Sequence, residues 1–270
     1  MAFAVSSHIP AYDHRPGAGS TLVFLHYWGG AARTWKPVID RLPGRATLSI
    51  ESRGWGRSRH LPGPYTLEQL ASDTQEIVAD AGVTDYVLVG HSMGGKVAQL
   101  VAATRPAGLV GLVLVGSGPA EPSAAITPEY QQVLSHAYDS DEAVAEARDT
   151  ILTATPLNVD LQAQIVADSR AGDPVARAEW PLHGIARDIT REVRDIAVPV
   201  LVVAGEHDRV EPVEVLRANL LPYLDSVDLR VIPGSGHLIP LEAPAALASI
   251  LQEIPFGTGG DPAAADRHSL

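Results

Sequence analysis

The 270 residues contain no cysteine. That absence excludes a disulfide framework, an iron–sulfur cluster, a thiolate zinc site and a cysteine nucleophile. Basic residues are in deficit: 20 Lys and Arg stand against 32 Asp and Glu, a formal net charge of −12. A general nucleic-acid binder needs a basic face to displace counterions, so no nucleic-acid partner is expected. Long apolar runs are also lacking. The longest, Leu109 to Val115, is far below the ~20 residues of a membrane-spanning helix, and no membrane partner is expected. The first residues, MAFAVSSHIP, have no basic stretch and only a short apolar run, unlike a secretory signal. The last three, His268-Ser269-Leu270, do not make the Ser-Lys-Leu address, and the cytoplasm is the expected location. The ten histidines show neither H-x-x-x-H nor H-E-x-x-H spacing, so no metal site is expected. No G-x-x-x-x-G-K-[ST] occurs and no G-x-G-x-x-G follows a strand, so no nucleotide cofactor is expected either. No internal repeat of fixed period is present.

What remains is an ordinary globular composition, 46% hydrophobic and 19% charged, with enough apolar side chain for a large core. The length fits one α/β domain with an insertion better than two full domains. Short β-branched runs alternate with helical patterns, the signature of a parallel sheet with crossover helices. Strands are expected at Thr21–His26, Ala46–Glu51, Tyr86–Gly90, Gly111–Val115, Pro199–Ala204 and Val227–Ile232. The runs LVFL, YVLVG, LVLVG and VLVVAG are apolar almost throughout, as strands covered on both faces are, so they belong at the centre of the sheet. Helices are expected at Ala31–Leu42, Leu67–Ala81, Met93–Thr104, Val213–Leu220 and Ala243–Ile254. From about Pro119 to Asp188 the alternation stops. Tyr130, Val133, Leu134, Ala137 and Tyr138 repeat at helical spacing, as do Val144, Ala147 and Ile151, then Leu161 and Ile165. This predicts a core of residues 1–118 and 189–256 interrupted by a helical cap at 119–188. The small, polar segment 257–270 is expected to be disordered.

The strongest chemical signal is Gly90-His91-Ser92-Met93-Gly94, followed by Gly95. It stands where a buried strand meets the amphipathic run KVAQLVAAT. A serine there occupies a sharp, strained turn that lifts its hydroxyl above the sheet. The helix start beneath it offers free N–H groups to a developing anion. A serine hydroxyl needs a general base, and the base an orienting carboxylate. Two later segments can supply them, each at the carboxyl end of an expected strand, where open α/β sheets build their sites. One holds Glu206-His207-Asp208, the other Gly234-Ser235-Gly236-His237.

Several segments taken together resemble a serine α/β-hydrolase of the esterase, lactonase and perhydrolase type. They are His26 with Gly29-Gly30, the run Arg53-Gly54-Trp55-Gly56-Arg57-Ser58, the elbow GHSMGG, the segment GEHDRVEP and the segment GSGHLIPLEAP. The resemblance spans residue 21 to about 255, apart from the helical insertion. It implies an α/β-hydrolase fold, a mostly parallel sheet with helices on both faces, and a helical cap. It also implies Ser92 as nucleophile, His237 as base and acid, and Asp208 as the orienting acid. Similar hydrolases take the acid from the Asp of a G-x-x-D run, which favours Asp208 over Glu206. Only His237 has the Gly-rich turn that lets an imidazole lean over the sheet, which favours it over His207.

The oxyanion donors implied are the N–H of Met93, the residue after the nucleophile, and that of Trp28 in the loop FLHYWGG. The chain departs from the family at Tyr27, where glycine is usual. Either the tyrosine forces a different turn or its phenol reaches the site as an added donor. His26 is expected to brace this loop, and His91 to be a packed structural histidine. Glu51 and Arg53 are expected to pair, Trp35 and Trp55 to serve as core or pocket wall, and Trp180 of the insertion to line the substrate pocket. The expected function is hydrolysis of a small carboxylic ester through an acyl-enzyme, without a cofactor. A lactonase or a cofactor-free perhydrolase on the same triad is the alternative. The alternative of another class is a non-catalytic or slow-turnover binding protein, which a turnover assay separates.

Overall fold

The computed structural model describes residues 8–254. Seven strands form one sheet: β1 (Tyr12–Arg15), β2 (Ala18–Leu25), β3 (Arg45–Ile50), β4 (Tyr86–His91), β5 (Leu109–Val115), β6 (Val200–Gly205) and β7 (Val227–Ile232). Their order is β1-β3-β2-β4-β5-β6-β7, with β1 antiparallel to β3 and every other pairing parallel. The four apolar runs are β2, β4, β5 and β6, which lie side by side in the middle, as their two-faced hydrophobicity predicts.

Alternate residues of these strands feed two cores. Val23, Leu25, Leu88, Leu112 and Leu114 point to one face; Leu22, Phe24, Val87, Val89, Val113 and Val115 point to the other. The first face is covered by α2 (Leu67–Asp80) and α3 (Met93–Ala103), the second by α1 (Lys36–Ile39) and α11 (Pro244–Glu253). The continuous helix expected at Ala31–Leu42 is instead a 3-10 turn, Ala32–Trp35, followed by the single turn α1. Pro37 at the start of α1 has no N–H to donate back and restricts the residue before it. β1, absent from the sequence reading, is a polar four-residue edge strand.

From β2 the chain runs outward to β3, then returns past β2 to β4 and continues the opposite way. The order in which strands are added therefore reverses between the parallel β2 and β4, and a crevice opens beyond their carboxyl ends. Between β5 and β6 there is no strand. Instead come α4 (Pro128–Ser135), α5 (Asp141–Ala147), α6 (Val159–Ala171), α7 (Pro174–Glu179) and α8 (Thr190–Val193). After β6 follow α9 (Val213–Asn219), β7, α10 (Ile239–Glu242) and α11. Residues 257–270, expected to be disordered, lie outside the described residues. Among the described residues no helix is long and apolar enough to cross a membrane.

Glycine is required where β4 meets α3. A Cβ on Gly90 would sit 2.4 Å from the Gly94 carbonyl oxygen, and one on Gly94 would sit 2.6 Å from the carbonyl oxygens of Leu25 and His26. Those neighbours are backbone and cannot swing aside. Gly90→Ala should therefore cost about 1–3 kcal/mol, as overpacking does. That is a fall in Tm of several degrees by thermal circular dichroism. A Tm within about 1 °C of wild type would contradict the packing described.

Candidate active site

Ser92 stands between β4 and α3 with φ 53° and ψ −117°, a conformation that non-glycine residues rarely adopt. Such strain persists only where the surroundings over-determine it. Here four backbone hydrogen bonds do so. The Ser92 N–H donates to Val115 (3.1 Å), and its carbonyl accepts from Gly95 (2.9 Å), Lys96 (3.2 Å) and Gly118 (3.1 Å). Strand β5, the first turn of α3 and the loop after β5 thus all hold one residue. The Ser92 side chain opens on a cavity of about 530 Å3 between the sheet and the inserted helices, a volume suited to a small-molecule ligand.

His237 follows β7 and lines the same cavity. Its Nδ1 is 2.9 Å from Asp208 Oδ2, both side chains being buried. A carboxylate can only accept, so the Nδ1–H donates and Nε2 is left as the acceptor of neutral His237. Asp208 Oδ1 accepts from the amides of Val210 (2.8 Å) and Glu211 (2.9 Å). Burial alone would raise the Asp208 pKa. The adjacent His237 and these donated hydrogen bonds outweigh it and hold the carboxyl below its ordinary value. The two rivals stay outside. Glu206 is exposed and accepts from the Gly234 amide, and His207 is exposed beside it.

The loop after β2 carries Tyr27 and Trp28 on the cavity wall. His26 is buried and braces it: Nδ1 donates to the Tyr27 carbonyl (2.7 Å) and Nε2 accepts from the Ser52 amide (3.1 Å). Inserted residues fix the rest of the loop. Tyr138 stacks on Trp28 at 3.9 Å and donates to its carbonyl (2.9 Å), Trp28 Nε1 donates to the Arg177 carbonyl (2.9 Å), and Ser169 donates to the Gly29 carbonyl (3.2 Å). Gly29 has φ +88°, and a Cβ there would overlap the Tyr138 ring. Among the described residues, neither the Trp28 amide nor the Met93 amide donates a hydrogen bond. The Tyr27 phenol lies beside Ser169. Trp180 lines the cavity from the insertion and packs against Gly118 of the core.

One sequence expectation changes. Arg53 pairs with Asp73 at 2.6 Å, and Glu51 pairs with Arg57 at 3.0 Å, so they do not pair with each other. Trp35 and Trp55 are buried core residues outside the cavity. Three residues near the site were not singled out. Tyr138 was read only as part of a helical face. Lys96 is fully buried on α3, with its ammonium 3.5 Å from the Ile185 carbonyl. Glu211 lines the cavity, and its one available signal was its place in GEHDRVEP.

A family model described as "Alpha/beta hydrolase family" matches residues 22–250. The chain is 30% identical over 250 residues to a pimeloyl-[acyl-carrier protein] methyl ester esterase of Yersinia enterocolitica, covering 85% of this chain and 91% of that one. It is 29% identical over 261 residues to a 2-succinyl-6-hydroxy-2,4-cyclohexadiene-1-carboxylate synthase of Enterobacter sp., covering 86% and 90%. A thermophilic esterase structure from Thermogutta terrifontis superposes with a TM-score of 0.78 at 26% identity, covering 90% of this chain and 91% of that one.

His91, just before Ser92, is buried and donates from Nε2 to the His237 carbonyl at 2.8 Å. Burial and the nearby His237 push its pKa down to about 3. In the unfolded chain a histidine takes up its proton near 6.5. Below that pH the unfolded state therefore binds a proton that the folded state refuses, and stability is lost as pH falls toward 3. Urea unfolding of wild type and His91→Gln between pH 6 and 4 should show wild type losing about 1.4 kcal/mol more per pH unit than the variant. Parallel profiles would contradict a neutral buried His91.

Proposed function

The chain belongs to the alpha/beta hydrolase family, and on that premise we propose that it cleaves a small carboxylic ester through an acyl-enzyme formed on Ser92. The observation that carries this reading is the buried hydrogen bond from His237 Nδ1 to Asp208, with both His237 and Ser92 opening on one cavity. Esterase names among the relatives support an ester as substrate.

In this reading Nε2 of His237 takes the Ser92 proton as Oγ attacks the ester carbonyl. The tetrahedral oxyanion is held by the open amides of Met93 and Trp28, the first of them at the N-terminus of α3. His237 then gives its proton to the departing alkoxide. Water, deprotonated by the same nitrogen, attacks the acyl-enzyme and releases the acid with Ser92 restored. Asp208 keeps the proton on Nδ1 and offsets the positive charge that His237 acquires. The Tyr27 phenol, placed beside Ser169, is given no part in the oxyanion site. The segment 119–188 acts as a cap: it closes the cavity over Ser92 and holds Trp28 in place through Tyr138. A lactone is a cyclic ester and would open by the same steps.

The test is turnover of p-nitrophenyl acetate through decanoate, with γ- and δ-lactones alongside. Ser92→Ala should lower kcat by about 10^4-fold or more with the fold intact. His237→Ala should match it, and the double variant should be hardly worse, because the pair acts as a unit. Asp208→Asn should be milder than the loss of either. A Ser92→Ala protein keeping more than a tenth of wild-type activity would overturn the assignment.

A further inference from the structure

We propose that Glu211 is a substrate-recognition residue whose carboxyl group hydrogen-bonds a hydroxyl group on the ester, so that the cavity prefers a hydroxyl-bearing ester to its plain alkyl counterpart. The proposal rests on the ester-hydrolase reading of this cavity and adds the class of substrate.

Glu211 is the third residue after Asp208, and its backbone is fixed by donating to Asp208 Oδ1. The Asp208 turn therefore decides where its side chain goes. The residue is only 6% exposed, and it lines the cavity together with Ser92 and His237. No described residue hydrogen-bonds the carboxyl group of this buried residue. Buried polar groups are almost always partnered, and an unpartnered one in a cavity points to a ligand. Much of the remaining wall is apolar, including Trp180, Ile185, Val210 and Leu134. A few polar groups placed in such a wall set orientation and selectivity.

The groups that act on Glu211 decide its chemistry. Burial and the charge of Asp208 push its carboxyl well above the ordinary range, and Lys96 opposes them without reversing the shift. Lys96 comes from α3 and is directed at the Ile185 carbonyl. The Tyr130 phenol of α4 also feels the Glu211 carboxyl. A carboxyl group accepts a hydrogen bond from a hydroxyl in either protonation state. Its complement is a hydroxyl group. A substrate carboxylate placed here would meet the like charge of Asp208.

The test is a panel of esters in matched pairs, each pair replacing a terminal methyl of the acyl or the alkoxy chain by a hydroxyl. The readout is the ratio of kcat/KM within a pair. Wild type should favour the hydroxyl member at least tenfold in one or more pairs. In that pair Glu211→Met should lower the ratio at least tenfold, while Glu211→Gln, which keeps a donor and an acceptor, should stay nearer to wild type than to Glu211→Met. A smaller fall in Glu211→Met, or Glu211→Gln behaving like Glu211→Met, overturns the proposal. So does a wild type that prefers no hydroxyl member, a result that needs no folded variant. Binding of the same pairs to Ser92→Ala, with and without Glu211→Met, reads the contact by calorimetry without turnover. If Ser92→Ala still hydrolyses the esters, the serine reading fails, and this binding ratio judges Glu211 separately.

Discussion

Much of the site depends on one strained turn. Ser92 holds a positive φ because four backbone hydrogen bonds, from β5, α3 and the loop after β5, fix it there. The same turn forces Gly90 and Gly94 to lie against backbone, because any Cβ would collide. It also aims the first amides of α3 at the crevice where the strand order reverses. Backbone geometry thus places both the hydroxyl and one candidate anion donor before any side chain is considered.

The inserted helices contribute to the site as well as roofing it. Tyr138, Ser169 and Arg177 hold the loop that carries Trp28. Arg33, just beyond that loop, is anchored to Asp168 of α6 at 2.5 Å. On the other side of the cavity, the amides of His237 and Leu238 both donate to the Leu152 carbonyl. Glu242 accepts from the amides of Ala154 and Gly236, tying the His237 loop to the inserted segment. The two loops that face Ser92 are therefore each bonded to the insertion, and its unfolding would release both.

The central strands and the Ser92 turn were legible because their causes are local: two-faced apolar runs, small residues at a strand–helix junction, and histidine and aspartate at strand ends. β1 was not, since a polar edge strand of four residues has no hydrophobic period to read. The partners of Arg53 and Glu51 were misread for a different reason. Asp73 lies on α2, 20 residues away in sequence, and nothing near Arg53 announces that contact. Tyr138 and Glu211 share this limit. Tyr138 occupies an ordinary position in a helical pattern, and only the folded chain stacks it on Trp28. Glu211 follows Asp208 in a segment already read for its aspartate, and the lack of a described hydrogen-bond partner for its carboxyl group is a property of the folded cavity.

The most direct measurement of the central claim is covalent labelling by a fluorophosphonate, read by intact mass and peptide mapping. The account predicts one equivalent, on Ser92, with loss of esterase activity in proportion. Labelling should be absent in Ser92→Ala and greatly slowed in His237→Ala. Stoichiometric modification of Ser92 with activity retained, or inactivation through another residue with Ser92 unmodified, would contradict it.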